Sequence, residues 1–212
     1  MKDLVIFGSG GHARDVLQVM LDRNEVEPEW NFLGYLDDDP EKRGTAIGPH
    51  EVLGGVDWLS GRSGIHAVIG VASTKARKAI AERIEAESDA RFATLVHPRA
   101  WMARGVTLGE GTVLCADVLI TTEAAVGRHV IGNIDCTIGH DSRVGDFVTI
   151  APSVNISGTV TVGEGCDLGT GTAIIQGITI GEWTVVGAGA SVVKDLPARV
   201  TAVGVPARPL AK

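Results

Sequence analysis

A six-residue repeat that runs without interruption from Val106 to Asp195 constrains the fold of this chain more than any other feature. Position one of each hexad is small or aliphatic, and position three is aliphatic in every hexad except the one with Gly132 there. Because side chains alternate across a strand, positions one and three are predicted to point inward and position two outward. Positions four to six are predicted to turn a corner, and glycine dominates position four because a corner needs permissive dihedrals. The hexads are VTLGEG, TVLCAD, VLITTE, AAVGRH, VIGNID, CTIGHD, SRVGDF, VTIAPS, VNISGT, VTVGEG, CDLGTG, TAIIQG, ITIGEW, TVVGAG and ASVVKD.

Three hexads form one triangular coil of about 18 residues, so the run predicts about five coils of a parallel β-helix. Aromatic residues make up only 4% of the chain and there are 28 glycines, so we expect a core of small and β-branched side chains in regular layers. An ordinary β-sandwich is the alternative. Sandwich strands and loops vary in length and would not keep a strict six-residue phase, so the repeat favours the β-helix.

The first part of the chain alternates between strand and helix patterns, which is typical of a small parallel sheet. The predicted elements are strands at 3–7, 32–36 and 66–71 and helices at about 12–22 and 74–87. We therefore expect a Rossmann-like α/β domain over residues 1–95. An all-β parallel β-helix, together with a C-terminal tail, is expected over residues 96–212.

Charge and cysteine usage narrow the class of protein. The net charge of −7 argues against nucleic acid or an anionic membrane surface as the main partner. The cysteines at 115, 136 and 166 show no CxxC spacing, and no secretory leader pattern opens the chain, so we expect a reduced cytoplasmic protein. No apolar run approaches the roughly 18 residues of a membrane span.

The turn Gly8-Ser9-Gly10-Gly11-His12-Ala13 fits the pattern GxGxxA between a strand and a helix. Bare backbone amides at a helix N-terminus suit a pyrophosphate. The acidic Asp37 after the second strand would also fit a dinucleotide dehydrogenase, but fewer than about 100 residues precede the repeat, which suits half a Rossmann unit and one nucleotide. Asp37 and Asp38 are able to accept hydrogen bonds from a base, although Asp-Asp-Asp-Pro is also a common solvated turn.

The pair His140-Asp141 is the strongest candidate for catalysis. The two residues occupy positions five and six of CTIGHD, at a corner where a bend can bring neighbouring side chains together. A histidine titrates near neutral pH and can act as a general base, and a carboxylate beside it would fix its tautomer. The simpler alternative is a solvated corner histidine. Gly158 lies 18 residues further on and is predicted to stack over His140.

The chain resembles the hexapeptide-repeat acyltransferases, whose β-helix is left-handed, and more narrowly the sialic acid O-acetyltransferase and bacillosamine N-acetyltransferase type. The resemblance rests on IFGSGGHARDV, LDDDP, LVHPRA, GHDSRVGDFVTIAP and VGVPARP, which span nearly the whole chain. It implies an acetyl-CoA-dependent enzyme that acetylates the amino group of a nucleotide-linked 4-amino-4,6-dideoxy sugar. The alternative is O-acetylation of a sialic acid or related sugar. A homotrimer with active sites between subunits, and no metal, are also implied.

The resemblance also implies roles for individual residues. It makes His140 the base, with Asp141 beside it, places Asn133 near the acceptor, and makes the backbone N–H of Gly158 a donor to the thioester carbonyl. Thr149 departs from the pattern, because many relatives carry a second histidine there. Thr170 and Ala188 match positions that contact the coenzyme chain through the backbone. The positions that match a nucleotide-sugar site are Gly10, Gly11, His12, Asp37, Asp38 and Gly70.

Two other classes of function remain to be separated. A zinc hydratase on the same helix, similar to the gamma-type carbonic anhydrases, needs three converging imidazoles, but the repeat holds only His129 and His140, at different corners. A non-catalytic nucleotide-sugar sensor would leave His140 without a role.

The end of the chain is locally positive through Lys194, Arg199, Arg208 and Lys212, and we expect coenzyme phosphates or solvent to face these side chains.

Overall fold

The computed structural model describes residues 1–210, and the chain forms two compact units, Met1–Pro98 and Arg99–Lys212. Ala211 and Lys212 lie outside the described residues, and so does the predicted contribution of Lys212 to a positive C-terminal end.

The first unit is an α/β domain built around a central strand that is apolar on both faces, as a covered parallel sheet requires. The elements are β1 (Lys2–Phe7), α1 (Gly11–Val26), β2 (Trp30–Leu36), β3 (Ala46–Ile47), β4 (His50–Gly54), β5 (His66–Ile69), α2 (Thr74–Glu87) and β6 (Arg91–Phe92), with 3-10 turns at Pro40–Lys42 and Val56–Leu59. The sheet order is β3-β4-β2-β1-β5-β6. A further short strand, β7 (Leu95–Val96), follows and is not part of this sheet.

The pair β3 and β4 was not predicted from the sequence. These strands form a short antiparallel hairpin, and β4 also pairs in parallel with β2. The hairpin is too short for a clear alternation of apolar and polar residues, so its register depends on the neighbouring strand. Its consequence is to bring Gly54 and Gly55 beside the acidic turn that follows β2, since the Asp37 N–H donates to the Gly54 carbonyl at 2.8 Å.

The second unit is a parallel β-helix whose strands stack in three sheets with a repeat of 18 residues. The first sheet contains Trp101–Met102, Leu119–Ile120, Thr137–Ile138, Asn155–Ile156, Ala173–Ile174 and Ser191–Val192. The second sheet contains Thr107–Leu108, Ala125–Val126, Arg143–Val144, Thr161–Val162 and Thr179–Ile180. The third sheet includes Val113–Leu114, Ile131–Gly132, Thr149–Ile150, Asp167–Leu168, Val185–Val186, Thr201–Val203 and the antiparallel Arg208–Pro209.

Positions one and three of the hexads fill the interior as predicted. From position 112 to position 192 every one of them is buried. Buried hydroxyl groups at position one are satisfied by backbone carbonyls: Thr112 donates to Gly127 at 2.8 Å and Ser142 to Ser157 at 3.0 Å. Position two is mostly exposed, with buried exceptions in the third sheet at Val113, Ile131 and Thr149.

The predicted reason for glycine at position four is wrong. The left-handed backbone conformation occurs at position six, where even bulky residues such as Phe147 and Trp183 have φ of 59° and 56°. Position four holds glycine because the next coil lies against it: a Cβ on Gly139 would lie 2.4 Å from the Gly158 nitrogen. These glycines are therefore required by close approach of two backbones, not by their own dihedrals.

We expect Ile174→Ala to lower the free energy of unfolding by about 2–5 kcal/mol, because it empties part of an interior file in which Ile174 is 2% exposed. The outward change Thr161→Ala, at an exposed position, is the control and is expected to change it by less than about 0.5 kcal/mol. Urea unfolding followed by circular dichroism measures both. Equal effects would contradict the assignment of inward and outward positions.

Candidate active site

His140 and Asp141 lie together at the corner that follows the strand Thr137–Ile138. Asp141 has a left-handed φ of 59°, which supplies the bend that adjacent residues need to meet. The His140 Nδ1 and the Asp141 Oδ2 are 2.8 Å apart, and both side chains are about 60% exposed. The carboxylate favours the tautomer with the proton on Nδ1, so Nε2 carries the free lone pair of the neutral ring.

Gly158 lies directly against the imidazole, one coil further along the chain. A Cβ at this position would lie 2.5 Å from the His140 Nε2 and 2.6 Å from Cε1. The same corner is joined between coils by the backbone, since the Thr159 N–H donates to the His140 carbonyl at 2.7 Å. The absence of a side chain at 158 therefore makes room for the ring and leaves peptide groups beside its reactive nitrogen.

The other predicted residues of the β-helix lie elsewhere within the single chain. Asn133, Thr170 and Ala188 belong to the corner that follows the third sheet, where the Gly189 N–H donates to the Thr170 carbonyl at 2.8 Å. Thr170 and Ala188 are exposed and stand one coil apart. Thr149 lies in the third sheet and is only 6% exposed. One chain thus brings together His140, Asp141 and Gly158, and keeps the other four residues apart from them.

In the first unit, the glycine turn leads into α1 with Gly10 as its N-cap. A Cβ on Gly10 would meet nothing within 4 Å, and one on Gly11 only the end of the Arg14 side chain, so the turn presents open backbone. Gly70 has a different reason to be glycine, because a Cβ there would lie 2.7 Å from the Ala13 Cα. Gly70 therefore allows α1 to pack closely on the end of β5.

His12 is held as a neutral imidazole at the start of α1. Burial lowers the pKa of His12, with Asp15 opposing this shift and Arg77 adding to it. The Nε2 atom is enclosed and makes no hydrogen bond within the described residues. A neutral ring with an unsatisfied nitrogen is able to bind a polar ligand group near the glycine turn.

Asp37 is bound on both carboxylate oxygens. The Ser9 hydroxyl and the Lys42 ammonium, the latter at 3.0 Å, donate to Oδ2, and the Asp39 N–H donates to Oδ1 at 3.1 Å. Partial burial raises the pKa of Asp37, but the hydrogen bonds from Ser9 and Lys42 outweigh it and leave the pKa below its usual range. Asp37 is therefore a carboxylate that ties the glycine turn to the turn after β2.

Asp38 lines an open cavity of about 220 Å³ beside the end of β2. Arg83 of α2 holds its carboxylate, with Nη1 2.5 Å from Oδ2 and Nη2 3.3 Å from Oδ1. The cavity is lined by the aspartates at 37 to 39, Pro40, Arg43, Gly54, Gly55 and Asp57. Neither Arg83 nor the part of the lining that follows Pro40 was predicted from the sequence. The Gly54-Gly55 pair after the apolar Val52-Leu53 is the local signal that could have indicated it.

The positive C-terminal end is partly neutralised. Arg199 Nη2 lies 2.7 Å from Glu182 Oε1, and Arg208 donates to the Ala207 carbonyl at 3.0 Å. Lys194 is exposed.

Among the described residues no three His, Cys, Asp or Glu side chains converge as a metal site requires. No helix over residues 1–210 is long and apolar enough to cross a membrane.

Residues 3–84 match the family described as the PglD N-terminal domain. Among curated relatives, a GDP-perosamine N-acetyltransferase from Escherichia coli is 28% identical over 173 residues, which is 81% of this chain and 77% of that protein. A UDP-N-acetylbacillosamine N-acetyltransferase from Bacillus subtilis is 34% identical over 127 residues, which is 55% of this chain and 52% of that protein.

Solved structures resemble both units together. A histidine-to-asparagine variant of perosamine N-acetyltransferase from Caulobacter crescentus, in complex with CoA and GDP-perosamine, is 30% identical to this chain with a TM-score of 0.91. The similarity covers 100% of this chain and 98% of that chain. The acetyltransferase domain of PglB from Neisseria gonorrhoeae, in complex with acetyl coenzyme A, is 27% identical with a TM-score of 0.88, and 99% of each chain is covered. The predicted fold class, a small α/β domain followed by a left-handed β-helix, is confirmed.

Proposed function

Because this chain belongs to the hexapeptide-repeat family of sugar acetyltransferases, we propose that it transfers the acetyl group of acetyl-CoA to the amino group of a nucleotide-linked amino-deoxysugar. The observation that carries this proposal is the imidazole–carboxylate pair, exposed at a corner of a chain that is similar along its whole length to an enzyme crystallised with CoA and an amino-sugar nucleotide. O-acetylation of a sugar hydroxyl is the second candidate, since the same base would serve a hydroxyl group.

In the proposed mechanism His140 acts as a general base. The sugar amine attacks the thioester carbonyl carbon, Nε2 of His140 accepts a proton from the nitrogen, and Asp141 stabilises the resulting imidazolium through Nδ1–H. The Gly158 N–H donates to the oxygen on which negative charge develops, a contact that is often worth several kcal/mol. The C–S bond then breaks, and the CoA thiolate leaves and takes up the proton. No protein acyl intermediate is required.

We further propose that the active site is completed by a second copy of the chain in a homotrimer. His140 and the residues proposed to contact the coenzyme chain, Thr170 and Ala188, lie at different corners of one β-helix. The sheet between those corners carries the exposed apolar side chains of Trp101 and Leu119, which are 55% and 43% exposed. Light scattering should give a mass three times that of the chain. A monomer that is fully active would contradict a shared site.

The test of the function is the release of free CoA thiol. The protein is mixed with acetyl-CoA and, in separate reactions, UDP-, GDP-, dTDP- and CMP-linked amino sugars, with a sialic acid as the hydroxyl acceptor. Thiol release with an amino sugar supports the proposal, and release with the hydroxyl acceptor alone supports O-acetylation. A protein that binds nucleotide sugar but releases no thiol with any acceptor is a sensor.

The three cysteines are not expected to interfere with this assay. Cys115, Cys136 and Cys166 are buried, and burial raises the pKa of Cys136 to about 12 and that of Cys166 to about 11. Since the thiolate is the reactive form, we expect no labelling by dithionitrobenzoate in the folded protein at about pH 8, and labelling of all three after unfolding. Rapid labelling of the folded chain would contradict the inward placement. Within residues 1–210 none of these cysteines forms a disulfide, which supports the proposed cytoplasmic location.

A further inference from the structure

Arg77 of α2 is the only lysine, arginine, aspartate or glutamate that is buried among residues 1–210, and it is 1% exposed. Such residues are almost never fully buried unless they are paired, because removing a charge from water is costly. A neutral side chain could tie two parts of the fold together without this cost. The burial of a guanidinium at this position therefore calls for an explanation that uses its charge.

The guanidinium of Arg77 holds the loop that follows β5. Its Nη1 donates to the Val71 carbonyl at 2.8 Å and to the Ala72 carbonyl at 2.9 Å. The Arg77 backbone N–H donates to the Ser73 carbonyl at 2.8 Å, so the same loop leads directly into the first turn of α2. Carbonyl oxygens satisfy the N–H donors of a guanidinium but do not neutralise it. These contacts therefore fix the loop and place a positive charge beside it.

The loop held by Arg77 packs against the glycine turn that follows β1. A Cβ on Gly8 would lie 3.0 Å from the Gly70 carbonyl oxygen and 3.0 Å from the Val71 Cγ2. In the sheet order β1 lies between β2 and β5, so the direction of the strand order reverses between β1 and β5. Open α/β sheets bind their ligands in the crevice outside the carboxyl ends of the strands at this point. Arg77 thus supports one side of that crevice.

The charge of Arg77 acts on the other side of the crevice as well. His12 lies in the first turn of α1, and its pKa is lowered by burial and by Arg77, against the opposing effect of Asp15. A positive charge close enough to disfavour an imidazolium there also favours an anion at the same place. Because the guanidinium is buried, dissolved salt screens this attraction much less than it would screen a surface charge.

We propose that Arg77 is a positioning residue for the diphosphate of the nucleotide sugar, which fixes the loop after β5 against the glycine turn and supplies a buried positive charge to the crevice. Arg77 acts through the loop and through its electric field, without touching the substrate. The inference rests on the proposed function for the class of ligand. A purely structural tie would require the hydrogen bonds of Arg77 but not its charge.

The test compares Arg77→Lys, which keeps the charge, with Arg77→Gln, which keeps an N–H donor and loses the charge. Isothermal titration calorimetry on the full chain measures the affinity for UDP, GDP and dTDP. For the diphosphate that the unmodified protein binds most tightly, we expect Arg77→Gln to lower the affinity about 10- to 100-fold and Arg77→Lys by less than about threefold. In thiol-release assays Arg77→Gln should raise KM for the nucleotide sugar and leave kcat within about threefold.

A second measurement follows the charge without any ligand. NMR titration of the His12 imidazole, identified by comparison with His12→Gln, should show a higher pKa in Arg77→Gln than in the unmodified protein, because one cause that lowers it is gone. Arg77→Lys should leave this pKa nearly unchanged. The matched control is Lys78→Gln, which removes the next positive charge of α2, where Nζ lies 4.0 Å from Glu82 Oε1. It should change neither the pKa nor the affinity.

Equal losses of affinity in Arg77→Lys and Arg77→Gln, an unchanged pKa of His12 in Arg77→Gln, or no binding of any of the three diphosphates would overturn the inference. Thiol release together with equal losses leaves the transferase proposal standing and reduces Arg77 to a structural tie. Binding that depends on the charge at residue 77, in a protein that releases no thiol, supports the role of Arg77 and contradicts the transferase proposal.

Discussion

His140→Ala is expected to lower the turnover number by about 100-fold or more, which is the usual range for loss of a general base. The affinity for the nucleotide should stay within about twofold, because His140 lies in the second unit and the glycine turn and acidic turn lie in the first. The hydrogen bond to Asp141 joins two side chains that are about 60% exposed, so its loss should cost little stability. Steady-state thiol release and calorimetry measure the two quantities separately.

Gln176→Ala is the matched control for His140→Ala. Gln176 is exposed and occupies the same hexad position at the same corner, two coils beyond His140. Its loss should leave the turnover number nearly unchanged. If His140→Ala reduced nucleotide binding and turnover to the same extent, the histidine would have a structural role. If the turnover number were unchanged, the proton would have to leave by another route.

Gly158→Ala is expected to lower the turnover number by about 10- to 100-fold while the protein remains folded. The new methyl group would occupy the space now filled by the imidazole, 2.5 Å from Nε2, and the flexible histidine side chain would move away. A displacement of about 1 Å at a reacting group is enough for a loss of this size. Because a side chain gives way and the backbone does not, the free energy of unfolding should change by less than about 1 kcal/mol.

Gly139→Ala provides the contrast at the same corner. Its Cβ would meet the backbone of the next coil, 2.4 Å from both the Gly158 nitrogen and the Ser157 carbonyl carbon, and neither atom can move independently of its coil. We expect a loss of about 1–3 kcal/mol of stability for this variant, measured by urea unfolding. If both alanine variants lost stability equally and activity equally, Gly158 would be only another packing glycine.

Much of the β-helix could be predicted because its periodicity is local. The hexad phase alone identified the inward positions and placed Gly158 over His140, since stacking distance along this fold is a count of residues. The role of position four was misjudged for the same reason: a dihedral preference is a local property, whereas the contact of Gly139 with Gly158 belongs to two coils. Sequence patterns report what a residue does within its own turn more readily than what lies above it.

The cavity in the α/β unit was harder to predict. Asp37 and Asp38 are adjacent and look equivalent in the sequence, and only their partners separate them. Arg83 is 45 residues from Asp38, on a helix whose face depends on how α2 packs. The enclosed nitrogen of His12 likewise depends on neighbours from several elements. Predicting them requires the tertiary contacts, which no spacing rule in this part of the chain provides.

The pairing of each strand with the one 18 residues away also limits how a protein of this kind can change in length. Adding or removing one complete coil beyond the His140 corner would leave every later residue on its original face. An insertion of a single hexad would turn all later residues by one face, and the corner that now holds Thr170 would no longer stack with its predecessors. We therefore expect the β-helix to tolerate insertions and deletions in whole turns, and finer adjustments of size to occur in the loops at its corners.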